Sequence, residues 1–164
     1  MRLRKLEPHE SSLLRELRLR ALLDAPGSFR DTYSDMAARP SSYWEELTRS
    51  VTEAKQNVMF LAYEGDHAVG SVFALVDRVR TRTGRAGGMW VEPQWRRRGI
   101  GEALLLEVIN WARERDFERL QLWCAVDTVG PSSLYRKAGF KETGNQQPLS
   151  EESAFRVAEM ELPL

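Results

Sequence analysis

The apolar and polar positions of the chain follow two different periods, and each period predicts a type of element. In "MRLRKL" charged and apolar residues alternate, which predicts a short strand ending before Pro8. Between Pro8 and Asp24 the leucines recur at helical spacing, with arginines on the opposite face. A second helix is predicted after Pro40, because Ser42 and Glu45 have the spacing of a capping box.

The middle of the chain is predicted to consist of strands. The run "NVMFLAYE" is continuously apolar, as in a strand that is covered on both faces. Gly65 and Asp66 give a hairpin-turn signal before "HAVGSVFALVD", which predicts the next strand. A third strand is predicted in "RAGGMWVEP", where Gly87 and Gly88 indicate a bulge or a close approach to the backbone.

The last third of the chain is predicted to alternate helices and strands. An amphipathic helix is expected from residue 100 to about residue 115, followed by a buried strand in "ERLQLWCAV". "GPSSLYRKAGF" predicts a short helix with Pro131 in its first turn and Gly139 at its end. The order β-α-α-β-β-β-α-β-α-β-β predicts one domain over residues 1–164, with a mixed α/β (α+β) architecture in which helices cover a mixed sheet.

Composition limits the classes of function. The apolar and charged fractions, 42% and 29%, are those of an ordinary globular protein. Lys plus Arg equals Asp plus Glu, so the formal net charge is zero, which argues against nucleic acid or an anionic membrane as a partner. The one cysteine, Cys124, lies in an apolar run and is expected to be buried, and a metal site of several thiolates is excluded. No apolar run reaches the ~20 residues that span a bilayer, and we expect a cytoplasmic location.

The stretch "WVEPQWRRRGIGEALLLEVINWARER" places three arginines and two glycines at the predicted start of the long helix. A helix start carries unpaired N–H groups and the positive end of the dipole, so additional cations there indicate an anionic ligand. Gly99 and Gly101 would leave those N–H groups accessible, as phosphate-binding helix starts do. The alternative is a surface turn whose glycines serve tight packing. The stretch matches neither the P-loop nor the G-x-G-x-x-G pattern.

Its sequence context makes this stretch more specific. Val91 and Pro93 precede the arginines, and "LYRKAGF" follows after one predicted helix and one predicted strand. This set resembles the GNAT superfamily of acyl-CoA-dependent N-acetyltransferases, whose Q/R-x-x-G-x-G/A motif matches Arg96, Gly99 and Gly101. The resemblance implies a twisted mixed sheet, splayed between its fourth and fifth strands and flanked by about four helices. It implies direct transfer of an acetyl group, within a ternary complex, from acetyl-CoA to the primary amine of a small molecule, a peptide N-terminus or a lysine.

The resemblance also implies roles for individual residues. The motif would cradle the CoA pyrophosphate, the preceding strand would pair with the pantetheine arm, and Tyr135 would protonate the departing thiolate. The implied CoA contacts are Met89, Trp90, Val91, Arg96, Arg97, Arg98, Gly99, Ile100, Gly101, Glu102, Thr128 and Tyr135. Thr128 stands where the family often has an Asn, and Pro131 where it often has an Ala. The alternative role for Tyr135 is to anchor the short helix in the core.

The resemblance also implies where the acceptor is recognised. In this family the contacts come from the first two helices, their connecting loop and a late hairpin. Phe29 and Tyr33 are the candidate substrate residues. The same region carries three acidic residues, Asp24, Asp31 and Asp35, which either favour a cationic amine or are solvated loop charges. Of the tryptophans, Trp44 and Trp90 are candidates for the acceptor cleft, whereas Trp111 and Trp123 fit the core.

Several points stay open from the residues alone. The general base is unassigned, since Glu92 and Asp127 are only neighbours in sequence and a water held by backbone groups is an alternative. A domain that senses acyl-CoA without turnover is the alternative function. Arg78, Arg80 and Arg82 are expected to line one face of an extended ribbon, either as a solvated edge or as an anion contact. The chain is expected to be a monomer or a homodimer without a bound metal.

Overall fold

The computed structural model describes residues 1–53 and 56–164, and five α-helices and seven strands lie in this part of the chain. The helices are α1 (Ser11–Asp24), α2 (Tyr33–Ala37), α3 (Ser41–Thr52), α4 (Ile100–Arg113) and α5 (Val129–Lys137). The strands are β1 (Arg2–Lys5), β2 (Asn57–Glu64), β3 (His67–Val76), β4 (Thr83–Val91), β5 (Arg119–Ala125), β6 (Lys141–Pro148) and β7 (Arg156–Pro163). The predicted order is confirmed, with α2 as an added short helix in the predicted loop.

The strands form one mixed sheet in the order β1-β2-β3-β4-β5-β7-β6. Only β4 and β5 are parallel neighbours among the described strands; the other pairs are antiparallel. The parallel pairing covers three residue pairs, from Thr83 opposite Arg119 to Arg85 opposite Gln121, and the two strands then separate. The predicted splay between the fourth and fifth strands is therefore confirmed.

The sheet carries a hydrophobic cluster on each face. Phe60 and Ala62 of β2 belong to the cluster formed with α4, whereas Met59 and Leu61 belong to the cluster formed with α1 and α3. Successive side chains of a strand point to opposite faces, so β2 is apolar throughout because helices cover it on both sides. The prediction for this strand is confirmed.

The predicted capping box at the start of α3 is wrong. The N-cap residue is Pro40, the helix begins at Ser41, and no side chain caps it. Ser42 lies one residue inside the helix, and the Tyr43 N–H bonds to the Pro40 carbonyl at 3.1 Å. The helix thus begins two residues before Tyr43, the first helical residue that a Ser42 cap would give, and directly follows Pro40, whose ring fixes φ at −69°.

The connection between β3 and β4 is a turn, so the predicted extended arginine ribbon is wrong. Arg82 has a φ of +60°. Asp77 organises the turn, because it accepts the N–H groups of Val79 and Arg80 at 2.8 and 3.0 Å and the Arg85 Nε at 2.6 Å. Burial acts to raise the pKa of Asp77, but the two N–H groups and the guanidinium outweigh it and lower that pKa to about 2.

Gly87 and Gly88 form the predicted bulge. Ser71 of β3 lies opposite Trp90 but Phe73 lies opposite Gly87, so β4 carries an extra residue between the two pairs. Gly88 has a φ of +61°, and a Cβ atom there would lie 2.7 Å from the Phe73 ring. A Cβ atom on Gly87 would lie 2.6 Å from the same ring. The bulge therefore depends on two glycines beneath an aromatic ring.

Replacing Gly88 by Ala is expected to lower the free energy of unfolding by about 2–4 kcal/mol, because a left-handed backbone conformation and a steric clash add together. Gly144→Ala is the matched control: Gly144 has a φ of +94°, but a Cβ atom there would meet no heavy atom within 4 Å. It should lose only the conformational part, about 1 kcal/mol. Urea unfolding of both variants measures the difference, and equal losses would contradict a role for the Phe73 ring.

Candidate active site

A cleft of about 880 Å³ opens where β4 and β5 separate. Its walls come from the loop after α1, the free part of β4, the start of α4, and α5 with the segment before it. Eleven of the predicted site residues line it: Phe29, Met89, Trp90, Val91, Arg96, Arg97, Gly99, Gly101, Glu102, Thr128 and Tyr135. Segments far apart in the sequence therefore meet at one site.

Three predicted site residues do not line the cleft. The Arg98 guanidinium stacks over the Trp95 ring, 4.7 Å from its centroid. Ile100 is buried in the core, so only its backbone can face a ligand. Tyr33 is exposed on α2. Trp44, on α3, does not line the cleft either. Its side chain is buried in the core cluster that α3 forms with α1.

The start of α4 presents a row of unpaired backbone donors, which we call the cradle (residues 97–102). The first helical hydrogen bond runs from Ala103 N–H to the Gly99 carbonyl at 3.0 Å. Within the described chain, no acceptor pairs with the six preceding N–H groups. Gly99, the N-cap residue, has a φ of +80°, and Arg97 has a φ of +61°. Consecutive N–H groups in such a backbone can converge on one anion, which is the arrangement that binds phosphate at a helix start.

Arg96 is already engaged within the protein. Its Nε donates to the Val91 carbonyl at 2.8 Å, and its guanidinium forms an ion pair with Asp24. Asp24 also accepts the Trp90 indole N–H at 2.9 Å. Asp24 is therefore not a free carboxylate for a cationic substrate, and Asp31 likewise pairs with Arg18 at 2.8 Å.

Glu102 and Thr128 both have partners at the cleft wall. The Glu102 carboxylate pairs with Lys137 at 2.7 Å, which compensates its charge in the first turn of α4. The Thr128 hydroxyl donates to the Ala125 carbonyl at 2.9 Å, and its oxygen keeps two lone pairs that can accept hydrogen bonds. A contact between Thr128 and CoA thus stays a prediction.

The separated strands leave backbone groups without strand partners. β4 pairs with β5 only as far as Arg85, and β5 pairs with β4 only as far as Gln121. Beyond those residues the facing edges of β4 and β5 border the cleft, and Met89 and Val91 lie on the free part of β4. An extended ligand with amide groups could hydrogen-bond there as an added strand.

Tyr135 of α5 lines the cleft. It is 7% exposed and packs edge-on against Phe140, with the ring centroids 6.0 Å apart. Among the described residues, its hydroxyl has no hydrogen-bond partner. Burial, and secondarily the nearby Cys124 thiol, raise the pKa of Tyr135 well above the usual value of about 10. Tyr135 is thus a core tyrosine whose neutral hydroxyl retains its proton.

Comparison with known proteins gives the family. A model of the acetyltransferase (GNAT) family matches residues 20–140, a span that includes the cradle and Tyr135. The chain belongs to the acetyltransferase (GNAT) family. This confirms the resemblance, the fold and the enzyme class, acyltransferase, that the motifs predict.

Individual proteins resemble this GNAT chain to different extents. The aminoglycoside N(6')-acetyltransferase type 1 of Stenotrophomonas maltophilia is 37% identical over 109 residues, which cover 60% of this chain and 69% of that protein. The chain spans less than half the length of the other curated relatives that it matches.

Two solved structures are similar in fold. A GNAT-family acetyltransferase from Streptococcus pneumoniae has a TM-score of 0.83 at 23% identity, covering 99% of both chains. A phosphinothricin acetyltransferase from Sinorhizobium meliloti, in complex with AcCoA, has a TM-score of 0.81 at 18% identity, covering 99% of this chain and 88% of that one. Because both identities are low, these two likenesses concern the fold.

Further residues of the GNAT cleft lie on β5. Cys124 is buried, as expected, and burial raises the pKa of its thiol although the Thr128 hydroxyl partly opposes this. Trp123 lines the cleft, so its predicted place in the core is wrong. Leu122 and Cys124 face the cluster around α4, and the alternation of the strand turns Trp123 to the other side. Trp111 is buried in the core, as predicted.

The two acidic residues considered as the base do not line the GNAT cleft. Glu92 forms an ion pair with Arg20 and contacts His67 at 3.1 Å. Asp127 is exposed beside the cleft rather than in its wall. The base therefore stays unassigned.

Arg80 and Arg82 make ion pairs within the protein. Arg80 pairs with Glu159 at 3.2 Å, and Arg82 pairs with Glu118 at 2.8 Å.

Over residues 1–53 and 56–164 there is no group of three His, Cys, Asp or Glu side chains placed to hold a metal ion. In the same ranges, no helix has the length and apolarity to cross a membrane.

Proposed function

We propose that this GNAT enzyme transfers an acetyl group from acetyl-CoA directly to a primary amine within a ternary complex. The acceptor class comprises a small-molecule amine, a peptide N-terminus or a lysine side chain. The observation that carries the proposal is the cradle, residues 97–102, whose six N–H groups lack acceptors among the described residues. Four of its residues line the cleft: Arg97, Gly99, Gly101 and Glu102.

The cradle suits a pyrophosphate. An anion at residues 97–102 gains hydrogen bonds from the free N–H groups and a favourable interaction with the α4 dipole. Arg97 lines the same part of the cleft and adds a positive charge. The similar S. meliloti enzyme holds AcCoA, which supports acetyl-CoA as the donor here.

The free edge of β4 suits the pantetheine arm. Met89, Trp90 and Val91 belong to the part of β4 that has lost its pairing with β5, so amide groups of a ligand can take the place of strand contacts. Residues of the cradle and Tyr135 line the same cleft.

Tyr135 is proposed as the general acid. Acetyl-CoA supplies the acetyl group as a thioester, and the amine nitrogen replaces sulfur at the carbonyl carbon. As the carbon–sulfur bond breaks, the Tyr135 hydroxyl donates its proton to the sulfur, and the nitrogen loses a proton to solvent. Solvent then returns a proton to the Tyr135 oxygen, which restores the enzyme. Burial keeps Tyr135 protonated, so the proton is available at neutral and alkaline pH.

The acceptor end of the cleft is formed by the loop after α1 and by β5. Ser28 and Phe29 of the loop and Trp123 of β5 line this end. Phe29 therefore stays a proposed substrate residue, and Tyr33, on the neighbouring α2, would contact only an acceptor that extends beyond the cleft. We also propose a cytoplasmic location and a monomer or homodimer.

An amine-panel assay with thiol release as the readout tests the proposed function. Matched peptides separate two of the acceptor classes: one with a free N-terminus and no lysine, and one with an acetylated N-terminus and a single lysine. Amino sugars and simple alkylamines represent small molecules. We expect one class to raise thiol release above the rate without acceptor. Saturable CoA binding with no amine-dependent release would instead indicate an acyl-CoA sensor.

A further inference from the structure

Asp24, the last residue of α1, joins two parts of the site. Its Oδ2 accepts the Trp90 indole N–H at 2.9 Å and contacts the Arg96 guanidinium. Arg96 in turn donates from Nε to the Val91 carbonyl at 2.8 Å. One carboxylate therefore holds the end of β4 and the residue that precedes the cradle.

The partners of Asp24 are themselves held in place. Trp90 is 4% exposed, and the Arg20 guanidinium lies over its ring, 5.3 Å from the centroid. Arg20 is ion-paired with Glu92. The Asp24 side chain is 20% exposed, so its charge-assisted contacts are less screened than those of a fully exposed pair.

The cradle has a conformation that needs support. Arg97 follows Arg96 directly and has a φ of +61°, which is strained for a residue with a side chain. The N–H groups after it gain no hydrogen bond from the described protein. Anchoring Arg96 to Asp24 and to the Val91 carbonyl therefore stabilises the backbone at the entrance to the cradle.

Asp24 also leads directly into the opposite wall of the cleft, the loop of residues 25–29. The Ala25 N–H bonds to the Ala21 carbonyl at 3.0 Å, and the Ser28 N–H bonds to the Ala25 carbonyl at 3.0 Å. Ala25, Ser28 and Phe29 line the cleft. A displacement of the Asp24 carboxylate thus acts on both walls, one through Arg96 and one through the main chain.

We propose that Asp24 is a positioning residue that couples ligand binding in the cradle to the order of the acceptor loop, residues 25–29. CoA in the cradle fixes Arg96, Arg96 fixes Asp24, and Asp24 holds the loop against the acceptor. The coupling is reciprocal, so an ordered loop also favours CoA binding. This inference rests on the proposed function, because it takes CoA as the ligand of the cradle.

The substitution Asp24→Asn tests the coupling, since it keeps an oxygen for the Trp90 N–H and removes the charge that pairs with Arg96. We expect the Kd for CoA, measured by calorimetry, to rise about tenfold. At saturating CoA, hydrogen exchange of the backbone amides of residues 25 and 27–29 should slow in the wild type and not in the variant. Residues 97–102 should be protected in both. Glu118→Gln, which removes the ion pair with Arg82 away from the cleft, is the matched control and should behave as the wild type.

Arg96→Gln provides the second variant, because it removes the same ion pair from the other side. It should also abolish the CoA-dependent protection of the loop, and adding Asp24→Asn to it should change the Kd little further. The inference would be overturned if loop protection persisted in both variants, or if their effects on the Kd added in the double variant. Either result would leave the proposed function intact. A wild-type protein that binds no CoA would overturn the proposed function and this inference together.

Discussion

Gly101→Val is expected to lower the affinity for CoA by about 100-fold or more, which is about 3 kcal/mol of binding free energy. A Cβ atom at this position would lie 3.3 Å from Leu134 Cδ2 and 3.9 Å from Val91 Cγ2. The branched side chain would therefore occupy the cleft wall between these residues, in the first turn of α4, where the proposed pyrophosphate site lies. Calorimetric titration with CoA measures the change.

Gly101→Ala is the graded control. Its single methyl group meets the flexible end of Leu134, which can move by a few tenths of an ångström, so we expect a loss of about tenfold or less. Gly130→Ala changes a glycine of the same cleft where a Cβ atom would meet no heavy atom within 4 Å, and it controls for added volume alone. A folded Gly101→Val variant with unchanged CoA affinity would contradict the cradle as the pyrophosphate site.

Tyr135→Phe is expected to lower kcat by about 10²–10⁴-fold, the usual contribution of a general acid. CoA affinity and stability should change little, because the Tyr135 hydroxyl has no partner among the described residues while its ring packs against Phe140. Initial rates at saturating acetyl-CoA, with the amine found in the panel, measure the effect on kcat.

The pH dependence adds an independent readout of Tyr135. The protonated phenol is the active form, and burial raises its pKa, so kcat of the wild type should not fall through loss of this proton up to about pH 10. Tyr43→Phe is the control, since Tyr43 lies on α3 beside Trp44 and outside the cleft. Equal kcat values for Tyr135→Phe and the wild type would remove Tyr135 from its proposed role.

Features that depend on neighbouring residues were predictable from the sequence. The paired glycines at 87–88 predict a bulge because few other residues fit such a backbone, and Gly88 has the positive φ that explains the pattern. The cradle was also predictable, because its N–H donors belong to one continuous stretch of the sequence. The splay of β4 from β5 followed from the family resemblance and not from periodicity.

Contacts between distant residues were not predictable in this way. Asp24 and Arg96 are 72 positions apart, and their ion pair depends on how α1 packs against β4. The sequence therefore left Asp24 as a candidate acceptor contact, whereas its charge is used inside the protein. Trp123 was assigned to the core because a continuous apolar run conceals which face of the strand each side chain takes.

The central claim is that the cradle binds the pyrophosphate of acetyl-CoA, and calorimetric titration of acetyl-CoA into the wild-type protein tests it most directly. We predict saturable binding of one molecule per chain with a Kd below about 100 µM. The Gly101→Val variant, folded to the same extent, should show no such binding in parallel. The absence of any binding heat from the wild type at ~1 mM acetyl-CoA, which corresponds to an affinity weaker than about −4 kcal/mol, would contradict the claim.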